Sequence, residues 1–101
     1  MKIITVCGSF KFKEEILKIS CKMELEGNVV LTPIFPANDD KSIFSEEELI
    51  MLGNMHKEKI RLSDAILVVN IDGYIGNSTK SEIEFAKSLN KEIIYYTDIL
   101  K

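Results

Sequence analysis

The second half of the chain contains a short, continuous apolar run that is followed by a polar, glycine-bearing segment. The run, Ala65–Val69, is typical of a strand buried on both faces of a parallel sheet. Four turn-forming residues then interrupt the pattern: Asp72, Gly73, Gly76 and Asn77. Ser78 or Thr79 can cap a new helix, and Asn90 suits its C-terminal end. In an α/β protein, such a strand, loop and helix N-terminus are the usual place for an anion or a nucleotide.

The rest of the chain alternates between strand and helix signals. Three more apolar, β-branched runs predict strands: residues 2–7, 29–32 and 92–96. A helix is predicted over residues 13–26, and a second one from an N-cap at Ser45 to about Leu62. Residues 34–42 form a long connection, and connections of this length are often functional lids or pocket walls.

The resulting element order, βαβαβαβ, predicts a single α/β domain over residues 1–101. We expect a flavodoxin-like or Rossmann-like three-layer sandwich with a four-stranded parallel sheet in the order 2-1-3-4. Helix one should cover one face of the sheet, and helices two and three the other. Because the winding reverses between strands one and three, the loops after them, residues 8–11 and 72–81, should line one crevice. A small-molecule site is therefore predicted there.

Composition excludes several classes of function. The net charge is −3 and the chain has no basic run, so nucleic-acid binding is not expected as its main task. No secretory segment and no apolar run near 18 residues is present, which argues against a membrane location. Cys7 and Cys21 form no CxxC pair, so we expect two reduced thiols and a cytoplasmic protein. No metal-ligand spacing and no cofactor-binding glycine motif appears, so neither a metal nor a cofactor is predicted.

Two titratable residues are candidates for chemistry. Glu82 is predicted in the first turn of helix three, where the helix dipole would keep its carboxylate ionised at neutral pH. It could then act as a nucleophile or hold sugar hydroxyls, although an acidic residue at a helix N-terminus is also a common structural feature. His56 is the only histidine, and a lone histidine is more often a packed or surface residue than a catalyst. Glu84 should point away from the site, to the surface.

Two loops supply candidate binding residues. Gly8 and Ser9 would let a ligand approach the backbone, although a simple strand-to-helix turn explains them equally well. The loop after strand three offers donors, acceptors and an aromatic ring, which favours a functional role for it. Its candidate ligand-binding residues are Asp72, Gly76, Asn77 and Ser78.

Three segments together resemble the nucleoside 2-deoxyribosyltransferase superfamily, which includes the 2′-deoxynucleoside 5′-phosphate N-hydrolases. They are residues 6–10 (VCGSF), 62–64 (LSD) and 76–86 (GNSTKSEIEFA). The resemblance extends over nearly the whole chain, and the Glu-x-x-x-Ala segment that begins at Glu82 is its most specific part.

The resemblance implies a retaining reaction at the N-glycosidic bond of a 2′-deoxynucleoside or its 5′-monophosphate. Glu82 matches the glutamate that attacks C1′. Gly8, Ser9 and Phe10 match the loop that lines the nucleotide pocket, and residues 76–78 match the region that meets the sugar or its 5′ end. His56 stands where the family has an aspartate that handles the base, and a histidine could donate a proton to the leaving base.

The resemblance also implies a homodimer or a larger homo-oligomer, because the family completes its pocket from a neighbouring subunit. Two other hypotheses stay open at this point. The chain could be a nucleotide-binding or sensing module without turnover, which the histidine at position 56 favours. It could also be a flavodoxin-like scaffold for protein contacts, against which the polar loop over residues 72–81 argues.

Overall fold

The computed structural model describes residues 1–99 of the chain, apart from the side chain of Asp39. It contains a four-stranded, all-parallel sheet in the order β2-β1-β3-β4, as predicted. The strands are β1 Ile3–Gly8, β2 Val29–Leu31, β3 Ala65–Val69 and β4 Glu92–Tyr95. The helices are α1 Lys13–Leu25, α2 Glu46–Leu62, α3 Asn77–Ser88 and the short α4 Tyr96–Ile99. Within the described residues, no helix is both long and apolar enough to cross a bilayer.

The sheet is covered on both faces, and alternation along each strand decides which residue meets which layer. Ile4 and Val6 of β1 pack with α1, in a core that also contains Leu67 of β3. Cys7 and Val68 point to the opposite face and pack with residues of α2 and α3. All five residues of β3 are buried, which explains their unbroken apolar sequence. The predicted placement of the helices is therefore confirmed.

Helix ends follow the predicted chemistry in three places. Ser45 forms the capping box of α2: its hydroxyl accepts from the Glu48 backbone N–H, and the Glu48 carboxylate accepts from the Ser45 N–H. Gly27 and Asn90 follow α1 and α3 with φ angles of 96° and 58°, in the left-handed region that favours glycine and asparagine.

Apart from shifts of one residue in β1, β2 and α1, two predicted boundaries are wrong, and one of them changes the view of the site. The cap of α3 is Gly76, not Ser78 or Thr79, because a tight turn at Ile71–Gly73 ends the loop early and Lys80 already bonds back to the Gly76 carbonyl. The helix starts at Asn77, so no acidic residue lies in its first turn, and Glu82 occupies the second turn instead.

The end of β4 is the second wrong boundary. Tyr96 was predicted in the strand but begins α4. The chain turns there because the Asn70 side chain accepts from the Thr97 backbone N–H and donates to the Thr97 hydroxyl. These contacts fix the start of α4 against the end of β3.

The last turn of α2 is tied to the sheet by a buried polar cluster. The hydroxyls of Thr5 and Ser63 each lie within hydrogen-bond distance of the Lys59 carbonyl, at 3.0 and 2.7 Å, and can donate to it. The two hydroxyls also contact each other. The Lys59 ammonium in turn donates to the Thr32 carbonyl just beyond β2, at 2.7 Å. Because buried polar groups require such partners, the cluster fixes the axial position of α2 relative to β1.

Candidate functional site

A cleft of about 420 Å³ opens at the carboxyl ends of β1 and β3. This is the position at which the winding of the sheet reverses, and the volume lies in the range of small-molecule pockets. Eight of the nine predicted site residues line it: Gly8, Ser9, Phe10, His56, Gly76, Asn77, Ser78 and Glu82. Asp72 does not line the cleft; it is exposed and occupies a left-handed turn position with φ of 52°.

The walls of the cleft are largely apolar and aromatic. Phe10 and Phe35 pack together with ring centroids 5.8 Å apart, which places the long connection after β2 against the loop after β1. On the other side, Tyr74 packs edge-on against Phe12 at the same centroid separation. The Lys11 ammonium lies 3.4 Å from the centroid of the Tyr74 ring, a cation–π contact. The long connection is thus a wall of the pocket, one of the two roles expected for it.

Gly8 allows β1 to pack closely against β3 at the floor of the cleft. A Cβ atom placed on Gly8 would lie 3.1 Å from Cβ of Val69 and 3.3 Å from Cδ1 of Ile16. Both neighbours belong to the buried core, so a methyl group at this position would force them to shift by a few tenths of an ångström. The packing of the sheet therefore favours glycine here, whether or not a ligand approaches its backbone.

Among the described residues that line the cleft, Glu82 is the only acidic one. Its side chain is only 18% exposed, and burial raises the pKa of its carboxyl from 4.5 to about 7. A hydrogen bond from the Cys7 thiol and the positive charge of Lys57 act in the opposite direction but do not overcome the burial. The expectation of a carboxylate fully ionised at neutral pH is therefore wrong, because Glu82 lies beyond the first turn of α3 and is buried instead.

His56 contacts both Cys7 and Glu82. Its Nε2 lies 3.5 Å from Cys7 Sγ and 3.8 Å from Glu82 Oε1. Burial, assisted by the positive charge of Lys59, lowers the pKa of the imidazole to about 4. Burial thus favours the neutral form of both side chains, and it disfavours an ion pair across the 3.8 Å contact.

Cys7 is buried beside His56 and is not among the predicted site residues. It was predicted as an ordinary reduced thiol, and it is indeed free, as is the exposed Cys21. Burial and the nearby Glu82 carboxylate raise its pKa well above the ordinary value, so the thiol stays protonated and is a poor nucleophile. Strand alternation could have found it: Cys7 is near the carboxyl end of β1 and two residues beyond Thr5, on the face that α2 and α3 cover.

The position of His56 also had a signal in the sequence. A helix that leads into a parallel strand runs antiparallel to that strand, so residues earlier in the helix lie nearer the carboxyl edge of the sheet. His56 is six residues before the end of α2, about 9 Å along its axis at about 1.5 Å per residue, which carries it towards the cleft.

Glu84 is exposed, as predicted. Asp64 lies at the opposite edge of the sheet, where its carboxylate accepts a hydrogen bond from the Ile3 backbone N–H at 2.8 Å.

No protein-family model matches the chain, and no curated protein matches it significantly.

Proposed function

We propose that the cleft binds a 2′-deoxynucleoside or its 5′-monophosphate and that Glu82 cleaves the N-glycosidic bond, with water or a second base as acceptor. The observation that carries this proposal is the position of Glu82, a single buried carboxyl group in an apolar cleft at the switch point of the sheet. The segments around it are those that resemble nucleoside 2-deoxyribosyltransferases. A low-dielectric site of this kind strengthens the effect of a carboxylate on a developing positive charge.

The reaction follows from the chemistry of a carboxylate beside a sugar. An ionised oxygen of Glu82 attacks C1′ while the bond from C1′ to the base nitrogen breaks, and the electron pair of that bond leaves with the base. Water then gives its oxygen to C1′ and a proton to solvent, and the Glu82 carboxylate is released. Because the pKa of Glu82 is about 7, the reactive form is about half populated at neutral pH.

The leaving base must accept a proton or a hydrogen bond. His56 is close enough to Glu82 to contact the same substrate, but with a pKa of about 4 it carries no imidazolium proton at neutral pH. It can still hydrogen-bond to the base. The site therefore suits a base that can leave without a proton from the protein. Such a base either is stable as an anion, because its free form has an acidic N–H, or takes up a proton from solvent before it leaves.

The walls of the cleft suit the two ends of a nucleotide. Phe10 and Phe35 offer aromatic faces and edges for a planar base. At the other end, Asn77 and Ser78 in the first turn of α3 line the cleft, and backbone N–H groups at a helix N-terminus favour a phosphate. Lys41 also lines the cleft and adds a positive charge.

A nucleotide-binding or sensing module without turnover is the second candidate. The protonation states favour it: near neutral pH His56 is uncharged and Glu82 is about half protonated, so neither a strong acid nor a fully ionised nucleophile is present. Under this proposal, the same pocket would bind a nucleotide and release no base.

The test is incubation with the four deoxynucleosides and their monophosphates in the presence of a chelator, followed by chromatography for free base. Glu82→Ala should abolish base release, while the matched control Glu84→Ala, an exposed glutamate on the same helix, should retain it. Release that survives Glu82→Ala would overturn the glycosidic mechanism. Thermal stabilisation by a nucleotide without any release would favour the sensing module.

Two expectations from the sequence stay predictions. A cytoplasmic location is tested by fractionation of cells that express the protein. Assembly into a homodimer or a larger homo-oligomer is tested by light scattering coupled to gel filtration.

A further inference from the structure

Three potential metal ligands from three different elements meet at the base of the cleft. Cys7 of β1, His56 of α2 and Glu82 of α3 each offer one ligand atom, and these atoms all lie within 4.8 Å of one another. The residues are 49 and 26 positions apart along the chain, so no ligand spacing in the sequence indicates the cluster. Cys7 and His56 are buried, and Glu82 faces the cleft.

The separations are close to those of tetrahedral coordination. Zinc binds sulfur at about 2.3 Å and nitrogen or oxygen at about 2.0–2.2 Å, so a nitrogen and an oxygen ligand of one tetrahedron lie roughly 3.3–3.5 Å apart, and a sulfur lies roughly 3.5–3.7 Å from either. Cys7 Sγ and His56 Nε2 are 3.5 Å apart, which fits, whereas His56 Nε2 and Glu82 Oε1 are 3.8 Å apart, so the carboxylate must move closer to bind the ion. The third edge, between Cys7 and Glu82, is at most 4.8 Å, and a rotation of the glutamate side chain can close it.

We propose that Cys7, His56 and Glu82 bind one thiophilic divalent cation of the zinc class, with the fourth coordination position open to the cleft. Three protein ligands with one open position are typical of zinc sites that also bind water or a substrate atom. A thiolate, an imidazole and a carboxylate together favour zinc over magnesium or calcium, which prefer oxygen ligands.

Binding has a defined proton balance. The Cys7 thiol loses its proton to solvent when its sulfur binds the cation, and a protonated Glu82 loses its proton in the same way. The thiolate and carboxylate then carry two negative charges, which neutralise the dication. Lys57 and Lys59 act against the cation, because their positive charges lie close enough to influence Glu82 and His56 respectively.

The orientation of His56 allows this role at a cost. The imidazole must present the Nε2 lone pair to the ion and keep its proton on Nδ1. Nδ1 is buried and has no hydrogen-bond partner within the described part of the chain, so its N–H is then an unpaired donor. The bond from Nε2 to the ion must offset this cost, because metal-bound histidines usually donate that proton to a partner.

The site would regulate the proposed reaction without depending on it. An ion that holds Glu82 prevents that carboxylate from attacking C1′, so a bound cation should suppress base release and a chelator should restore it. The binding itself can be measured whether or not the protein has any glycosidic activity. Its failure and the failure of the proposed function are therefore distinguishable.

The test is titration of the reduced full-length protein with Co²⁺, whose absorption reports tetrahedral geometry and thiolate ligation directly. Cys21→Ser provides the background, since it removes the exposed thiol and leaves the buried one. In this background we expect one ion per chain, with a thiolate-to-cobalt charge-transfer band and the strong visible bands of a tetrahedral site. Zn²⁺ should displace the Co²⁺ and abolish the spectrum.

Three variants then assign the ligands. Cys7→Ser should remove the charge-transfer band. Glu82→Gln and His56→Gln should each weaken binding by more than the roughly 10- to 100-fold that loss of an outer-sphere partner costs. Circular dichroism identifies any variant that fails to fold, and Glu82→Gln serves if Cys7→Ser does not fold. The proposal is overturned if the Cys21→Ser protein shows no thiolate band with Co²⁺, or if Glu82→Gln binds the ion as tightly as its parent.

Discussion

Replacement of Glu82 by glutamine should change how the free energy of unfolding depends on pH. Glutamine has nearly the same shape as a protonated glutamate but cannot ionise. In the folded protein, burial raises the pKa of Glu82 from 4.5 to about 7, and the side chain is only 18% exposed. The folded protein therefore retains a proton over a pH range in which the unfolded chain has already lost it.

The sign and size of this effect follow from proton linkage. Between pH 4.5 and 7 the folded state binds more protons than the unfolded state, so the free energy of unfolding falls as the pH rises. At about 1.4 kcal/mol per pH unit, the loss amounts to about 3 kcal/mol and is complete above about pH 7. Glu82→Gln removes this loss and should be more stable than the parent protein by about 3 kcal/mol at pH 8.

His56 contributes an opposite slope in nearly the same range. Burial lowers its pKa from 6.5 to about 4, so between these values the unfolded chain binds more protons. The free energy of unfolding therefore rises by about 3 kcal/mol as the pH increases from 4 to 6.5. The two contributions nearly cancel in the parent protein, so this pair of residues should change its free energy of unfolding little between pH 4 and 7. Each single variant should reveal the slope of the residue that is left.

The assay is urea unfolding followed by circular dichroism at several pH values from 4 to 8. Glu82→Gln should gain stability as the pH rises through this range, and His56→Gln should lose it. The matched control is Glu84→Gln, an exposed glutamate on the same helix, whose pH profile should parallel that of the parent protein. Slopes rather than absolute values are compared, because glutamine at position 56 also alters packing.

Two results would refute this reasoning. A Glu82→Gln profile parallel to the parent profile between pH 4.5 and 7 would show that burial does not raise the pKa of the carboxyl. A loss of stability in Glu82→Gln at neutral pH would show instead that Glu82 and His56 form a charged pair across the 3.8 Å that separates them.

Three further variants test the packing around the site. Ile60→Ala truncates a fully buried side chain of α2 and should cost about 2–5 kcal/mol of unfolding free energy; a smaller loss would mean that the core closes over the cavity. Gly8→Ala places a methyl group 3.1 Å from Cβ of Val69 and should cost about 1–3 kcal/mol in urea unfolding, whereas an unchanged midpoint would contradict the close approach of the strands. Ser45→Ala removes the capping hydroxyl of α2 and should lower stability by about 1 kcal/mol; an equal effect of Ser42→Ala, which lies outside the helix, would argue against a capping role.

The sequence predicted the fold closely because its signals are local. The apolar run of β3, the capping box at Ser45 and the left-handed residues Gly27 and Asn90 each depend on only a few neighbours. Alternation of strands and helices then leaves few topologies, because parallel crossovers are right-handed. The boundary of α3 was harder, since Gly76, Ser78 and Thr79 can all begin a helix, and the turn at Ile71–Gly73 decided between them.

The sequence alone determined which loops face the cleft, and it identified Glu82 and His56 as the residues to examine there. Only the tertiary structure decided their protonation states and joined them to Cys7. The physical reason is that burial sets these pKa values, and burial depends on the packing of β1, α2 and α3 around one point. Because α3 starts two or three residues earlier than predicted, Glu82 lies away from the helix N-terminus, where it would be charged, and in a buried position where it can hold a proton.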